Sequence, residues 1–338
     1  MTKRSGGINF VRVSLGSSII LGLTRGIIDA EPTTVYLLTY HEGRCSANCG
    51  FCPQARESRG RTDMLSRVTW PVFPLGDVAK RIDVAFRNRK VRRVCIQALN
   101  YKGVFRDIVE IVNVIRKGSE IPISVSCQPL KRDEMKFLRE LGVERVSIAL
   151  DAATEKIFRW VKGEEARGPY RWKSHIESLR VATEIFGRNY VTTHIIIGLG
   201  ETEEESVKIM QLCYDMGVYP ALFAFTPIPG TRLEDWPRPD IRSYRRIQVA
   251  HYLITRGIIR YEDVTFFDGR ILRFGIANEL LLKIVRSGVP FLTTGCPGCN
   301  RPYYNERPGG QIYNYPRRPR PDEISKILEE MDIEQVLY

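Results

Sequence analysis

The feature that most constrains this chain is a repeated alternation of two hydrophobic periods. Short apolar, β-rich runs recur at residues 34–38, 91–97, 121–127, 145–150, 191–197 and 220–225. Helix-length segments lie between or after them, at 75–86, 106–117, 131–141, 175–186, 203–216 and 242–256. Strands that are apolar nearly throughout are buried on both faces. That condition is met by a parallel sheet covered by crossover helices. Six strand–helix units are too few to close an eight-unit barrel. The sequence therefore predicts an α/β fold, a partial (β/α)6 TIM-type barrel, over residues 34–257. A lead-in with two apolar stretches precedes it (1–33). From 258 to 338 the alternation stops. There a helix at 278–286 leads into Cys296-Pro-Gly-Cys299, a stretch rich in Pro, Tyr, Asn and Arg, and a last helix at 323–331.

A chain of 338 residues with 43% hydrophobic content can bury a sizeable core. No apolar run reaches the ~20 residues of a membrane helix. The best stretch, 11–28, is broken by Gly16, Ser17, Ser18, Gly22, Thr24, Arg25 and Gly26, and it has no small-residue cleavage site. The expectation is a soluble, cytoplasmic protein with no membrane association. The formal net charge of +12 comes from cations that are scattered except at 80–93 and 317–320. Scatter argues against nucleic acid and favours an acidic protein partner. Eight cysteines without an export signal do not make a disulfide framework. Five of them fall in two tight groups, which points to metal.

The first group is Cys45-Ser-Ala-Asn-Cys49-Gly-Phe-Cys52, directly after the first strand. Parallel barrels carry their chemistry in such loops, at the strand C-terminal ends. Three thiolates can hold three irons of a [4Fe–4S] cubane and leave the fourth iron open to a substrate. The alternative is a zinc ribbon or a fully ligated ferredoxin-type cluster, and Cys296 and Cys299 supply the second CxxC that a ribbon needs. The CxxxCxxC spacing, the aromatic residue before the last cysteine and the six-unit barrel all favour the open cubane.

CxxxCxΦC after strand one resembles the radical S-adenosylmethionine (SAM) superfamily, over roughly residues 35–235. The resemblance implies that Cys45, Cys49 and Cys52 hold a cluster that reduces SAM. The 5′-deoxyadenosyl radical so released takes hydrogen from an unactivated carbon. It implies that Phe51 sits near the adenine. Further stretches are similar to biotin synthase: Cys49-Gly-Phe-Cys-Pro-Gln54, Ser147-Ile-Ala-Leu-Asp151, Gly198-Leu-Gly-Glu-Thr202 and Phe225-Thr-Pro-Ile-Pro-Gly-Thr231. By that likeness Asp151 faces SAM or substrate. Two cysteines of biotin synthase's second cluster fall on Cys95 and Cys127. The third position falls near Thr192, which cannot supply a thiolate.

Cys296 and Cys299 can contribute two thiolates in exchange. With Cys127, and with Cys95 as a further candidate, they are expected to hold an auxiliary [4Fe–4S] cluster at the barrel mouth. A small buried hydrophobe is the alternative role for Cys127 and Cys95, and zinc or a redox pair is the alternative for the CxxC. Cys213, on a helix, reads as structural. The tail Gly295-Cys-Pro-Gly-Cys-Asn-Arg-Pro-Tyr-Tyr-Asn-Glu306, with Asp151-Ala-Ala-Thr-Glu-Lys-Ile-Phe158, resembles archaeal-type lipoyl synthases that work as two paired homologues.

This likeness implies sulfur insertion at C6 and C8 of an octanoyl chain carried on an acidic lipoyl domain. It also implies a homologous partner protein and an electron donor such as ferredoxin. Sulfur insertion or C–C chemistry on a free small molecule is the second enzymatic reading, and an iron–sulfur or zinc scaffold is the non-enzymatic one. Arg167 and Arg171 follow strand four, where relatives bind the methionine carboxylate. A bidentate arginine suits that task, and Arg171 is the expected cofactor contact. Surface arginines are the alternative. His194 shares the inward face of its strand with Thr192 by period-two alternation. It reads either as a core histidine or as a contact to substrate or cluster.

Overall fold

The computed structural model describes residues 8–306 and 309–331. The outermost parts of the expected lead-in (1–7) and of the expected C-terminal extension (307–308, 332–338) lie outside the described residues. Strand β1 (Phe10–Val13) and a short helix α1 (Leu15–Ile20) precede β2 (Thr34–Thr39). A long loop then carries the hairpin β3 (Met64–Leu65) and β4 (Val68–Thr69) and ends in β5 (Val72–Pro74). Next come α2 (Leu75–Arg87), β6 (Arg93–Gln97), α3 (Val104–Arg116), β7 (Ile123–Cys127), α4 (Arg132–Glu140) and β8 (Val143–Ile148). Helices α5 (Glu155–Val161) and α6 (Trp172–Phe186) lead to β9 (Val191–Ile197), α7 (Glu203–Met216), β10 (Val218–Ala224) and α8 (Ile241–Thr255). The hairpin β11 (Thr265–Phe267) and β12 (Arg270–Arg273), then α9 (Asn278–Arg286) and α10 (Pro321–Met331), complete the described chain.

The main sheet runs β10-β9-β8-β7-β6-β2-β1-β5. The six strands from β10 to β2 are parallel, as the alternation requires. The expected α/β partial barrel is therefore present, with an open side. The sequence reading did not foresee β1 and β5. Both pair antiparallel, β1 to β2 (Val11↔Thr39, Val13↔Leu37) and β5 to β1. They cover the β2 edge, whose unpaired N–H and C=O groups would otherwise be exposed. Strands of four and three residues are too short for their period to register in a sequence.

The strands are not uniformly apolar. Val35, Leu37, Val94, Ile96, Ile123, Val146, Ile148 and Ile195 are buried among the apolar core. The alternate positions Tyr36, Cys95, Gln97, Ser124, Ser126, Ser147, Thr192 and His194 line a cavity inside the barrel. Successive side chains of a strand point to opposite faces, so the barrel has a greasy outer layer and a mixed inner one. Burying Val, Ile and Leu side chains stabilises by about 1.5–3 kcal/mol each.

The C-terminal segment crosses the open side of the barrel. Thr294 Oγ1 accepts from the Leu222 N–H of β10 (2.7 Å), and Asn300 Oδ1 accepts from the Thr33 N–H just before β2 (3.0 Å). Farther along, the Tyr304 carbonyl accepts from Ser66 Oγ of the β3–β4 turn (2.7 Å). The Asn305 carbonyl accepts from Thr226 Oγ1 (3.0 Å). No described helix is long and apolar enough to cross a membrane.

His251 on α8 is buried beneath β10, where its Nε2 meets the Pro220 carbonyl at 2.6 Å. Burial holds its pKa down at about 4, against an ordinary 6.5. A folded-state pKa below the unfolded value stabilises the fold above pH 6.5, and that contribution is lost as pH falls through 4. Its full size is roughly 3 kcal/mol. Urea midpoints of the apoprotein should therefore fall between pH 7 and pH 4. The fall should be visibly shallower in His251→Gln, which keeps an N–H donor without a titrating ring.

Candidate active site

The loop bearing Cys45, Cys49 and Cys52 leaves the C-terminal end of β2 and is pinned mostly through its backbone. Cys45 N–H donates to the Gln54 carbonyl and Cys52 N–H to the Cys49 carbonyl, each at 3.0 Å. Gly50, between the cysteines, donates to the Val161 carbonyl (2.7 Å) and accepts from the Leu233 N–H (3.0 Å). Asn48 Nδ2 reaches the Ala166 carbonyl at 2.7 Å. The far end of the loop rests on the turn after β10, where Arg59 N–H donates to the Gly230 carbonyl (2.7 Å). Gly230 has φ +80°, and a Cβ there would stand 2.3 Å from the Gly60 nitrogen. Only glycine allows that approach.

Burial raises all three thiol pKa values, that of Cys49 to about 12. As free thiols they are protonated, so metal binding must expel their protons. The Asn100 N–H donates to Cys45 Sγ at 3.2 Å. Three soft sulfur donors without a fourth suit an iron–sulfur cubane with one open iron. Among the described residues no three Cys, His, Asp or Glu side chains gather as tightly as one metal ion needs. A cubane spreads its thiolates, because each binds a different iron.

A cavity of ≈ 200 Å³ runs through the barrel from this loop. Phe51 and Cys52 line its upper end. Cys95, Cys296, Cys299, Tyr36 and Arg301 line its lower end. Gln97, Ser126, Ser147 and His194 form one wall, and Ile196, Ala221, Phe223 and Phe225 form another. Asp151, also on the cavity, lies just beyond β8 in a left-handed conformation (φ 63°), with its N–H donating to the His194 carbonyl (2.8 Å). Its carboxylate accepts from Lys162 Nζ at 2.7 Å, and Lys162 also donates to the Ala149 carbonyl (2.8 Å). Lys162 is buried against the faces of Tyr170 (4.9 Å) and Phe158 (5.5 Å). Strain at a non-glycine residue persists only where its surroundings hold it, and such residues cluster at functional sites.

Several expected residues are not gathered here. Cys127 faces away from the cavity, and its charged neighbour is Glu134 on the covering helix α4. Ser124 and Ser126 take the inward positions of β7, so the period of two turns Cys127 outward. Cys95 instead faces Cys296 and Cys299, near enough for each of their charges to raise its pKa beyond the effect of burial. The Cys296–Cys299 turn is also not at the barrel mouth. Its Gly298 carbonyl accepts from Thr33 Oγ1, and Gly298 lies beside Arg92, both at strand N-terminal ends.

Arg171 precedes α6, is exposed, and pairs with Glu164 at 3.3 Å; Arg167 is exposed and pairs with Glu57. Neither lines the cavity. His194 does line it, 3.4 Å from Ser147 Oγ, and burial holds its pKa near 4, so it is neutral. Cys213 is fully buried on α7. The sequence reading missed Lys162 and Tyr36, which belong to no recognisable motif, and gave no role to Arg301 within the tail stretch.

Residues 39–213, more than half of the chain, match the radical SAM superfamily. The chain belongs to that superfamily, and membership implies a [4Fe–4S] cluster and SAM. Among individual proteins it is similar to the biotin synthase of Persephonella marina, with 25% identity over 206 residues, 59% of this chain and 56% of that one. It is also similar to the biotin synthase of Desulforudis audaxviator, with 26% identity over 224 residues, 65% of this chain and 64% of that one. The chain thus spans less than two thirds of the length of these relatives. In fold it is similar to the FeFe-hydrogenase maturase HydG from Carboxydothermus hydrogenoformans. That structure aligns at TM-score 0.52 and 15% identity, covering 89% of this chain and 66% of that one.

The Asp151–Lys162 pair yields a direct test of how the site is held. Lys162→Met should leave a carboxylate buried without its partner, in a backbone conformation that already costs energy. The expected loss is about 3–5 kcal/mol of stability, read by chemical denaturation. Loss of only a few tenths would show that solvent reaches the pair.

Proposed function

We propose that this protein inserts sulfur into an octanoyl chain carried on a protein or peptide, as one of a pair of lipoyl synthases. The observation that carries the reading is the second cysteine group, Cys95, Cys296 and Cys299, lining the same cavity as Phe51 and Cys52. In this reading Cys45, Cys49 and Cys52 hold the radical cluster. Cys95, Cys296 and Cys299 hold an auxiliary cluster, a ligand set in which Cys95 replaces the expected Cys127. When bound, the first cluster and SAM supply a radical able to take hydrogen from an unactivated methylene, and the second cluster supplies sulfide.

The chain's own residues bind, orient and exclude water. Phe51 offers an aromatic face to the adenine. Asp151, fixed by Lys162, offers a carboxylate at the upper end of the cavity. Phe223, Phe225 and Ile196 give an alkyl chain an apolar wall. The C-terminal segment covers the open side, which keeps water from a reactive carbon radical. The net charge of +12 favours encounter with an acidic carrier domain. Two homologues, each inserting one sulfur, would each use one auxiliary cluster per event. An electron donor such as ferredoxin completes the set of partners.

A second reading has its own support. The polar wall of Gln97, Ser126, Ser147 and His194 suits a polar small molecule, such as those handled by biotin synthase relatives.

Two measurements decide between these. Mass spectrometry of an octanoylated peptide should find one added sulfur with this protein alone and two with its homologue present. Conversion of dethiobiotin, with no sulfur gained by the peptide, would favour the second reading. In a Cys45→Ala/Cys49→Ala/Cys52→Ala background, anaerobic reconstitution should leave about four irons per chain. Adding Cys95→Ala should remove them and adding Cys127→Ala should not. The opposite result would return the ligand to Cys127.

A further inference from the structure

The lower end of the cavity holds two hydroxyl groups aimed at the cysteine pair. Tyr36 Oη lies 3.2 Å from Cys299 Sγ, and Ser124 Oγ lies 3.5 Å from Cys296 Sγ. Each hydroxyl already accepts a hydrogen bond from elsewhere. Tyr36 Oη accepts from the Arg301 N–H at 3.0 Å, and Ser124 Oγ accepts from Arg93 Nη1 at 3.0 Å. A hydroxyl has one proton to give. A cysteine bound to iron has lost its own proton, so only the hydroxyl can donate along these two contacts.

The arrangement is built rather than incidental. Tyr36 is buried at 1% exposure and packs on Tyr304 at 5.2 Å. Arg301 holds a left-handed backbone (φ 27°), which brings its N–H to Tyr36. Its guanidinium is tied to the Thr294 carbonyl at 2.7 Å and stacks on Phe223 at 3.7 Å.

We propose that Tyr36 and Ser124 are positioning residues that donate hydrogen bonds to the thiolates of Cys299 and Cys296 and raise the reduction potential of the auxiliary cluster. The proposal rests on the sulfur-insertion reading above. Hydrogen bonds to the sulfurs and nearby positive charge both stabilise the reduced form of an iron–sulfur cluster. Arg301 contributes that charge, whereas the charge of Arg93 is offset by its ion pair with Glu144. The sense fits the chemistry. Were a cluster sulfide to capture a carbon radical, the C–S bond would take one electron from each partner, and the electron left behind would have to pass to an iron of that cluster. A sulfur source that is easier to reduce takes that electron more readily.

The test uses protein in which Cys45, Cys49 and Cys52 are all alanine, so that the auxiliary cluster is the only iron centre. Tyr36→Phe in that background should keep its iron and move the midpoint potential to a more negative value. Ser124→Ala should shift it in the same direction. Pulsed electron–nuclear resonance on the reduced cluster should find a strongly coupled, deuterium-exchangeable proton that Tyr36→Phe lacks. A purely structural role for Tyr36 would leave both readouts unmoved, and an unchanged midpoint with an unchanged proton coupling overturns the proposal. Should Tyr36→Phe fail to hold iron, Ser124→Ala decides: a negative shift supports the proposal and no shift overturns it. A triple-cysteine variant that binds no iron at all instead removes the auxiliary-cluster reading, and this proposal with it.

Discussion

The barrel depends on one geometric rule, that a β-strand gives alternate side chains to opposite faces. Six parallel strands side by side turn this rule into two surfaces. The outer one is Val, Leu and Ile and is sealed by helices. The inner one carries Tyr36, Cys95, Gln97, Ser124, Ser126, Ser147, Thr192 and His194. A fully apolar inner surface would collapse into a packed core, as in a closed barrel of this type. Polar and sulfur-bearing side chains leave space, and each must find a partner or a ligand. The cavity is thus written into the strands as every second residue.

That rule also explains what the sequence could and could not reveal. The strand at 191–197 and the helices at 203–216 and 278–286 coincide with the expected limits, because each is long enough to repeat its period and ends at a clear signal. Thr202 caps α7 with a reciprocal Thr202–Glu205 box, and Gly217 stops it in a left-handed turn. The three-cysteine loop was legible because its spacing is local. Cys127 was misplaced because a one-residue error in register moves a side chain to the other face. A likeness in spacing to another family carries no such precision. β7 ends on Cys127 as the expected run does, and its inward places at 124 and 126 belong to serines.

Lys162 and Tyr36 were invisible for a different reason. Their roles come from tertiary meetings, of a helix end with the loop after β8 and of β2 with a tail more than 250 residues away. Arg171 was read from its position after strand four. The chain uses that stretch for surface ion pairs, and the buried cation comes instead from Lys162, nine residues earlier. An opposite charge held in a buried place must be paired, which makes Lys162 and Asp151 obligatory to each other.

The C-terminal tail gives the architecture its direction. The radical motif sits where strands end, and the Cys296–Cys299 turn sits where β2 and β6 begin. A carbon atom held midway along the cavity would therefore face a radical source from one side and the proposed sulfur source from the other. Hydrogen removal and sulfur delivery on opposite sides of one carbon need no movement of the substrate between steps. The two cysteine groups line opposite ends of one cavity and are separated along its length. Of the eight left-handed non-glycine residues described, four stand beside the two cysteine groups. Asp151 and Arg167 are left-handed toward the radical motif, and Arg301 and Tyr303 are left-handed beside the tail cysteines. Strain of this kind is retained where the surroundings over-determine it. Here the surroundings are the loops after the strands on one side and the C-terminal tail that crosses the open side on the other.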